Sequence, residues 1–261
     1  VQSAPATHHN FSLGNLLPPS FLSRGDAAFE LGTLDGHAVR VAAYSYAIAM
    51  SYGLHPKTCE RLRLAAAFHD IGKTCLPKTL LNKPGVLTSD ERHLIETHTV
   101  KGHDLLYSAG NPLLRDAATV ALSHHEYIDG SGYPNGLRGT DIPLGVRIVS
   151  VADVFDALTT KRSYRDPISE TAALRQISQL AQRRFDPIVI LALNRLIAQN
   201  PSMGQQLRWF TRSRTEPPQR HPTRVGAHDD WQSSTFVQRW VEADALPDFW
   251  QPHTTAKVEH P

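Results

Sequence analysis

From His37 onward, His37, Arg40, Val41, Tyr44 and Ile48 recur at three- and four-residue steps, the period of a helix with one buried face. His55-Pro56 predicts the start of a second helix, carrying Leu62, Ala65, Ala66 and Phe68 up to His69. Gly72 and Pro77 then end it and open a loop through Gly85. Thr88 and Glu91 form a capping box for a helix that runs through His98 to about Tyr107. Asn111-Pro112 caps another, reaching His124 and His125, and a glycine-rich loop from Asp129 to Gly139 follows. Ile142 to Thr160 reads as a buried helix, and Asp186-Pro187 starts one that runs to about Ala198. No alternating pattern of useful length predicts a strand, so the expectation is an all-α domain over about residues 26–200.

Residues 1–25 have no clear period and read as a lead-in. Residues 201–261 read as an irregular C-terminal extension, with six prolines between Pro217 and Pro261 and three of the four tryptophans, Trp231, Trp240 and Trp250. Phe236, Val237, Trp240 and Val241 would share a helical face, as a short helix docked on the core or as a separate binding motif.

Composition narrows the classes. The 261 residues are 41% hydrophobic and 20% charged, which suits a packed core and excludes a wholly disordered or fibrous chain. No apolar stretch is long enough for a membrane span. The net charge of +2 gives no polyanion footprint, which argues against DNA or RNA as partner. Cys59 and Cys75 form no CxxC pair, and a reducing cytoplasm is the expected location. The chain begins with Val1 rather than Met, which leaves room for an upstream sensor region.

Histidine changes the picture, because eight of the fourteen lie between His37 and His125. His69-Asp70 offers a neutral nitrogen and a carboxylate to one cation, and a carboxylate has two oxygens with which to bridge a pair. With His37, His98, His124, His125 and Asp153 it gives seven candidate ligands, five imidazoles and two carboxylates. That donor set suits two divalent transition metal ions such as iron or manganese, and magnesium less.

The second cluster, His124-His125-Glu126-Tyr127-Ile128-Asp129-Gly130-Ser131-Gly132-Tyr133-Pro134, resembles the HD-GYP family of bacterial cyclic-di-GMP phosphodiesterases in the HD superfamily. The other supporting motifs stand in order: His37-x-x-Arg40-Val41, His69-Asp70-Ile71-Gly72-Lys73, Leu81-Asn82-Lys83-Pro84-Gly85, His98-Thr99-x-x-Gly102, and Val151 to Thr159 around Asp153. The resemblance covers about two-thirds of the chain, His37 to Ala198. It implies an HD-superfamily helical bundle with a Gly-Tyr-Pro loop, and hydrolysis of cyclic-di-GMP to linear pGpG and on to GMP. It assigns His37, His69, Asp70 and Asp153 to one metal, and His98, His124 and His125, with Asp70 bridging, to a second. It makes Lys73 a catalytic charge partner and substrate contact, and adds Arg162, Arg165 and Tyr133 on the substrate.

Bland readings stand beside these. His37 alone could be structural, Arg162 and Arg165 a solvated basic turn, and Tyr133 turn packing. Asp156, one turn beyond Asp153, could orient a ligand or serve a cap or salt bridge, and His93 and His103 read as surface or supporting residues. The competing functions are a scaffold that binds a cyclic dinucleotide or a diguanylate-cyclase (GGDEF) partner through the Gly-Tyr-Pro loop, and another HD-superfamily activity; a homodimer is open. Some relatives carry a glutamate four residues before the first histidine that allows a third metal. Here that position is Thr33, with Glu30 and Asp35 poorly placed to substitute, so two metals are expected.

Overall fold

The computed structural model describes residues 36–108, 112–161 and 166–208. Their helices are α1 (Gly36–Tyr52), α2 (Pro56–Ala66), α3 (Lys78–Leu81), α4 (Ser89–Glu96), α5 (His98–Tyr107), α6 (Pro112–Ser123), α7 (Leu144–Thr159), α8 (Glu170–Gln179) and α9 (Pro187–Gln199). Two 3-10 turns, Ile71–Cys75 and Gly139–Asp141, complete the order. Among the described residues no strand forms, and the only extended pairings are isolated bridges between Asp129 and Arg138 and between Ala181 and Phe185. The all-α expectation holds.

Helix α1 is the central element. Every residue from Ala38 to Ala49 is buried, as expected of a helix without a polar face. Its alanines let α2, α7 and α9 pack closely around it. Tyr44 stands edge-on to Phe155 of α7 at 5.2 Å between ring centres, amid Ile48, Leu62, Ile148, Ile177 and Leu193. Met203 and Leu207, which the division at residue 200 assigns to the extension, are buried in this same core.

Local signals set several helix starts. His55 accepts from the Lys57 N–H ahead of Pro56, Thr88 and Glu91 close the capping box, and Asp186 accepts from the Ile188 N–H ahead of Pro187. Four expectations need correction. Helix α2 ends at Ala66 rather than His69, because the chain tightens there into successive turns, with the His69 N–H on the Ala66 carbonyl and the Ile71 N–H on that of Phe68. The expected loop to Gly85 contains a 3-10 turn and α3. The helix expected from Thr88 to Tyr107 is two, broken at Thr97, whose hydroxyl donates to the Leu94 carbonyl. Helix α8 was not anticipated, although Ser169 caps it and Ala173 and Ile177 bury one face.

Outside the described residues lie the lead-in, most of the extension with its tryptophans, the Asn111 cap, Glu30, Thr33 and Asp35, and both Arg162 and Arg165.

Candidate metal centre

The site forms where helix ends meet. His37 is the second residue of α1, His69 and Asp70 occupy the turns after α2, and His98 opens α5. His124 and His125 follow α6, while Asp153 and Asp156 sit one turn apart on α7. Gly72 is required: a Cβ there would come within 1.9 Å of the His98 carbonyl oxygen, so only glycine lets the turn approach α5.

Backbone carbonyls aim three imidazoles. His69 Nδ1 donates to Ala66 O at 2.9 Å, His98 Nδ1 to Ile95 O at 2.7 Å, and His124 Nδ1 to Val120 O and Ala121 O at 3.1 Å. In each ring Nδ1 thus carries a proton and is engaged by backbone, which leaves Nε2 directed inward. His37 is aimed by a carboxylate instead: its Nδ1 lies 2.7 Å from Asp156 Oδ2 and its Nε2 3.1 Å from Asp153 Oδ1. Asp156 also accepts from Arg40 Nε at 2.7 Å and Nη2 at 3.1 Å, so it plays both roles left open by the sequence.

The inward nitrogens converge on Asp70, and they divide between its oxygens. His69 Nε2 is 3.3 Å from Oδ2; His98 Nε2 and His124 Nε2 are 3.3 and 3.7 Å from Oδ1. Two groups result, His37 with His69 and Asp70, and Asp70 with His98, His124 and His125, their donor atoms within 4.8 Å of one another in each. Asp153 stands outside both groups, joined through His37. His69 Nε2 and Asp70 Oδ1 are buried and lack a hydrogen-bond partner, a costly state for polar atoms unless a cation completes them. Mixed imidazole and carboxylate donors of this kind fit borderline divalent metals.

The electrostatics agree. Burial pushes the Asp70 and Asp153 carboxyls up, but the surrounding imidazoles outweigh it and hold both well below the usual range. Burial would depress His37, yet Asp153 and Asp156 raise it to about 10. Burial and then repulsion from neighbouring imidazoles instead lower His124 and His125, keeping them neutral as ligands must be.

Beside the cluster lies a cavity of about 540 Å³ whose lining includes Asp70, Lys73, His125, Asp153 and Lys161. Lys73 Nζ donates to Asp70 Oδ2 at 2.5 Å. Tyr133 packs on the His125 ring at 4.8 Å between ring centres. Sequence reading passed over Glu126, which is buried and accepts the N–H groups of Asn135 at 2.7 Å and Leu137 at 2.9 Å, pinning the Gly-Tyr-Pro loop to the end of α6. Its place directly after His124-His125 was the available signal. Sequence reading also passed over Ser150, whose hydroxyl donates to the His124 carbonyl at 2.6 Å, and Lys161. His93 is exposed, and His103 stacks on Tyr107.

Known proteins resemble this chain. A family model described as HD domain matches residues 27–189. The chain is 39% identical over 154 residues to the 3'3'-cGAMP-specific phosphodiesterase 2 of Vibrio cholerae, covering 59% of this chain and 30% of that protein. It is 42% identical over 180 residues to the cyclic di-GMP phosphodiesterase response regulator RpfG of Xanthomonas campestris, covering 68% of this chain and 48% of that protein. The chain thus spans less than half the length of either relative. Among solved structures, the HD-GYP-type protein Bd1817 of Bdellovibrio bacteriovorus shares the fold, with a TM-score of 0.53 at 23% identity over 72% of this chain and 58% of that one. With the His-Asp pair, the paired histidines and the Gly-Tyr-Pro turn joined at one site, this chain belongs to the HD-domain family, in its HD-GYP branch.

Proposed function

We propose that residues 26–200 form a metal-dependent phosphodiesterase that hydrolyses cyclic-di-GMP to linear pGpG, and on to GMP. The observation that carries this reading is the Asp70 carboxylate, whose two oxygens face different imidazoles. One carboxylate shared in this way suits a pair of divalent ions, with iron or manganese favoured by the five imidazoles. When bound, such a pair lowers the pKa of water and neutralises phosphate charge. Water then adds to phosphorus, the bond to the departing ribose oxygen breaks, and that oxygen leaves as an alcohol. Lys73 balances the extra negative charge of the transition state, and Tyr133 borders the substrate. Arg162 and Arg165 contact phosphate in the same reading. The names of the relatives support a cyclic dinucleotide as substrate and include both cyclic-di-GMP and 3'3'-cGAMP.

The test is incubation of protein loaded with iron or manganese with each of these two cyclic dinucleotides. Release of linear dinucleotide, fastest from cyclic-di-GMP, is expected. No hydrolysis of either by folded, metal-loaded protein overturns the reading.

A further inference from the structure

A cyclic dinucleotide carries two phosphodiesters on one ring. When one lies at the histidine–aspartate cluster, the other remains in the same cavity but away from the cluster, and needs a positive partner of its own. Among the described residues two lysines line that cavity, Lys73 and Lys161; Arg162 and Arg165, assigned to phosphate above, lie outside the described residues. Lys73 is committed, because its ammonium is bonded to Asp70 within the cluster. Lys161 is exposed and has no carboxylate partner among the described residues.

Its position is nonetheless built. Lys161 follows Thr160, the residue that ends α7. The Thr160 N–H donates to the Asp156 carbonyl at 3.0 Å, and its hydroxyl lies 3.2 Å from Asp156 Oδ1. Two residues earlier, the Leu158 carbonyl accepts from the Ile168 N–H at 3.0 Å, tying down the other side of the helix end. Asp156 therefore fixes both the His37 ring and the root of Lys161, setting the lysine at a defined place relative to the cluster.

Resting on the phosphodiesterase reading, we propose that Lys161 binds the second, non-reacting phosphodiester of a cyclic dinucleotide. A contact to a part of the substrate that does not change charge holds ground state and transition state alike, so it appears in KM and not in kcat. In an open, hydrated cavity its effect is moderate and salt-dependent.

Kinetics of Lys161→Ala and Lys161→Arg test this, with wild-type-like circular dichroism required of both. For cyclic-di-GMP the alanine variant should raise KM by about 5–20-fold at low salt with kcat within about two-fold, and the arginine variant should recover most of the loss. Bis(p-nitrophenyl) phosphate has one phosphodiester, so its kcat/KM should change by less than about two-fold. The Ki of cyclic-di-GMP as a competitor of that small substrate should rise in parallel with its KM. An active wild type whose KM for cyclic-di-GMP is unmoved in Lys161→Ala, or equal losses on both substrates, overturns the inference alone. A wild type that cleaves the small substrate but no cyclic dinucleotide overturns the cyclic-dinucleotide reading and this inference with it.

Discussion

His37 is held between two carboxylates of one helix, with Nδ1 2.7 Å from Asp156 Oδ2 and Nε2 3.1 Å from Asp153 Oδ1. Of the pair, Asp156 faces away from the inward nitrogen and is locked by Arg40, so it acts as the support and leaves Nε2 to the cluster. Removing it should have two consequences. Asp156→Ala removes the carboxylate on which His37 and two Arg40 nitrogens converge, which should cost about 1–3 kcal/mol of stability. It also frees the His37 ring, which should weaken metal binding by about 10–100-fold. Urea unfolding and metal titration measure the two; a stable variant with unaltered metal affinity would show that Asp156 supports nothing.

Metal uptake should release protons. Asp153 and Asp156 hold His37 up to about 10 in the metal-free protein, so it is charged at neutral pH and must lose its proton to act as a ligand. The sign follows: affinity is greatest above that pKa and falls as pH drops below it, by about ten-fold per pH unit for one displaced proton. Calorimetric titration in buffers of different ionisation enthalpy counts the protons. A count of zero at neutral pH would contradict this account of His37.

The expected metal content is two per chain. The family resemblance would give His37, His69, Asp70 and Asp153 to one ion and Asp70 with His98, His124 and His125 to the other, whereas the structure groups all of these but Asp153 directly. Elemental analysis of anaerobically purified protein checks the number, and a reproducible value near three would refute it. Asp70→Ala should remove most of the metal and the activity while circular dichroism stays helical; near-normal metal content in a folded variant would rule out Asp70 as the bridge.

Lys73→Ala should retain the metals yet lower kcat by about 10²–10³-fold, the size of losing one charge partner of the transition state. Its ammonium sits against Asp70, on the cavity side of the cluster. An unchanged kcat would remove Lys73 from the chemistry.

Glu126→Ala should loosen the Gly-Tyr-Pro loop. The N–H groups of Asn135 and Leu137 would lose a buried acceptor, a cost of about 1–3 kcal/mol in stability. Hydrogen exchange at these two amides should accelerate, and unchanged protection would show that the loop is held elsewhere.

The sequence by itself determined what depends on near neighbours. The capping box of Thr88 and Glu91 and the starts at His55-Pro56 and Asp186-Pro187 were legible because a cap is made within four residues. The seven candidate ligands were legible because their residue types recur in an ordered set of motifs. Small elements were missed: α3 is a single turn, and α8 shows its apolar stripe at few positions. Tertiary structure decided the rest. The partner that aims His37 lies 119 residues away, and only the packing of α1 on α7 brings it within reach. Which nitrogen three of the histidines turn inward depends on carbonyls left over at helix ends, and periodicity misplaced those ends: α2 stops three residues short, α6 two, and α4 where no end was expected. Periodicity registers the burial of a face, whereas the direction of a ring and the neighbours of a carboxylate are set by how separate helices meet.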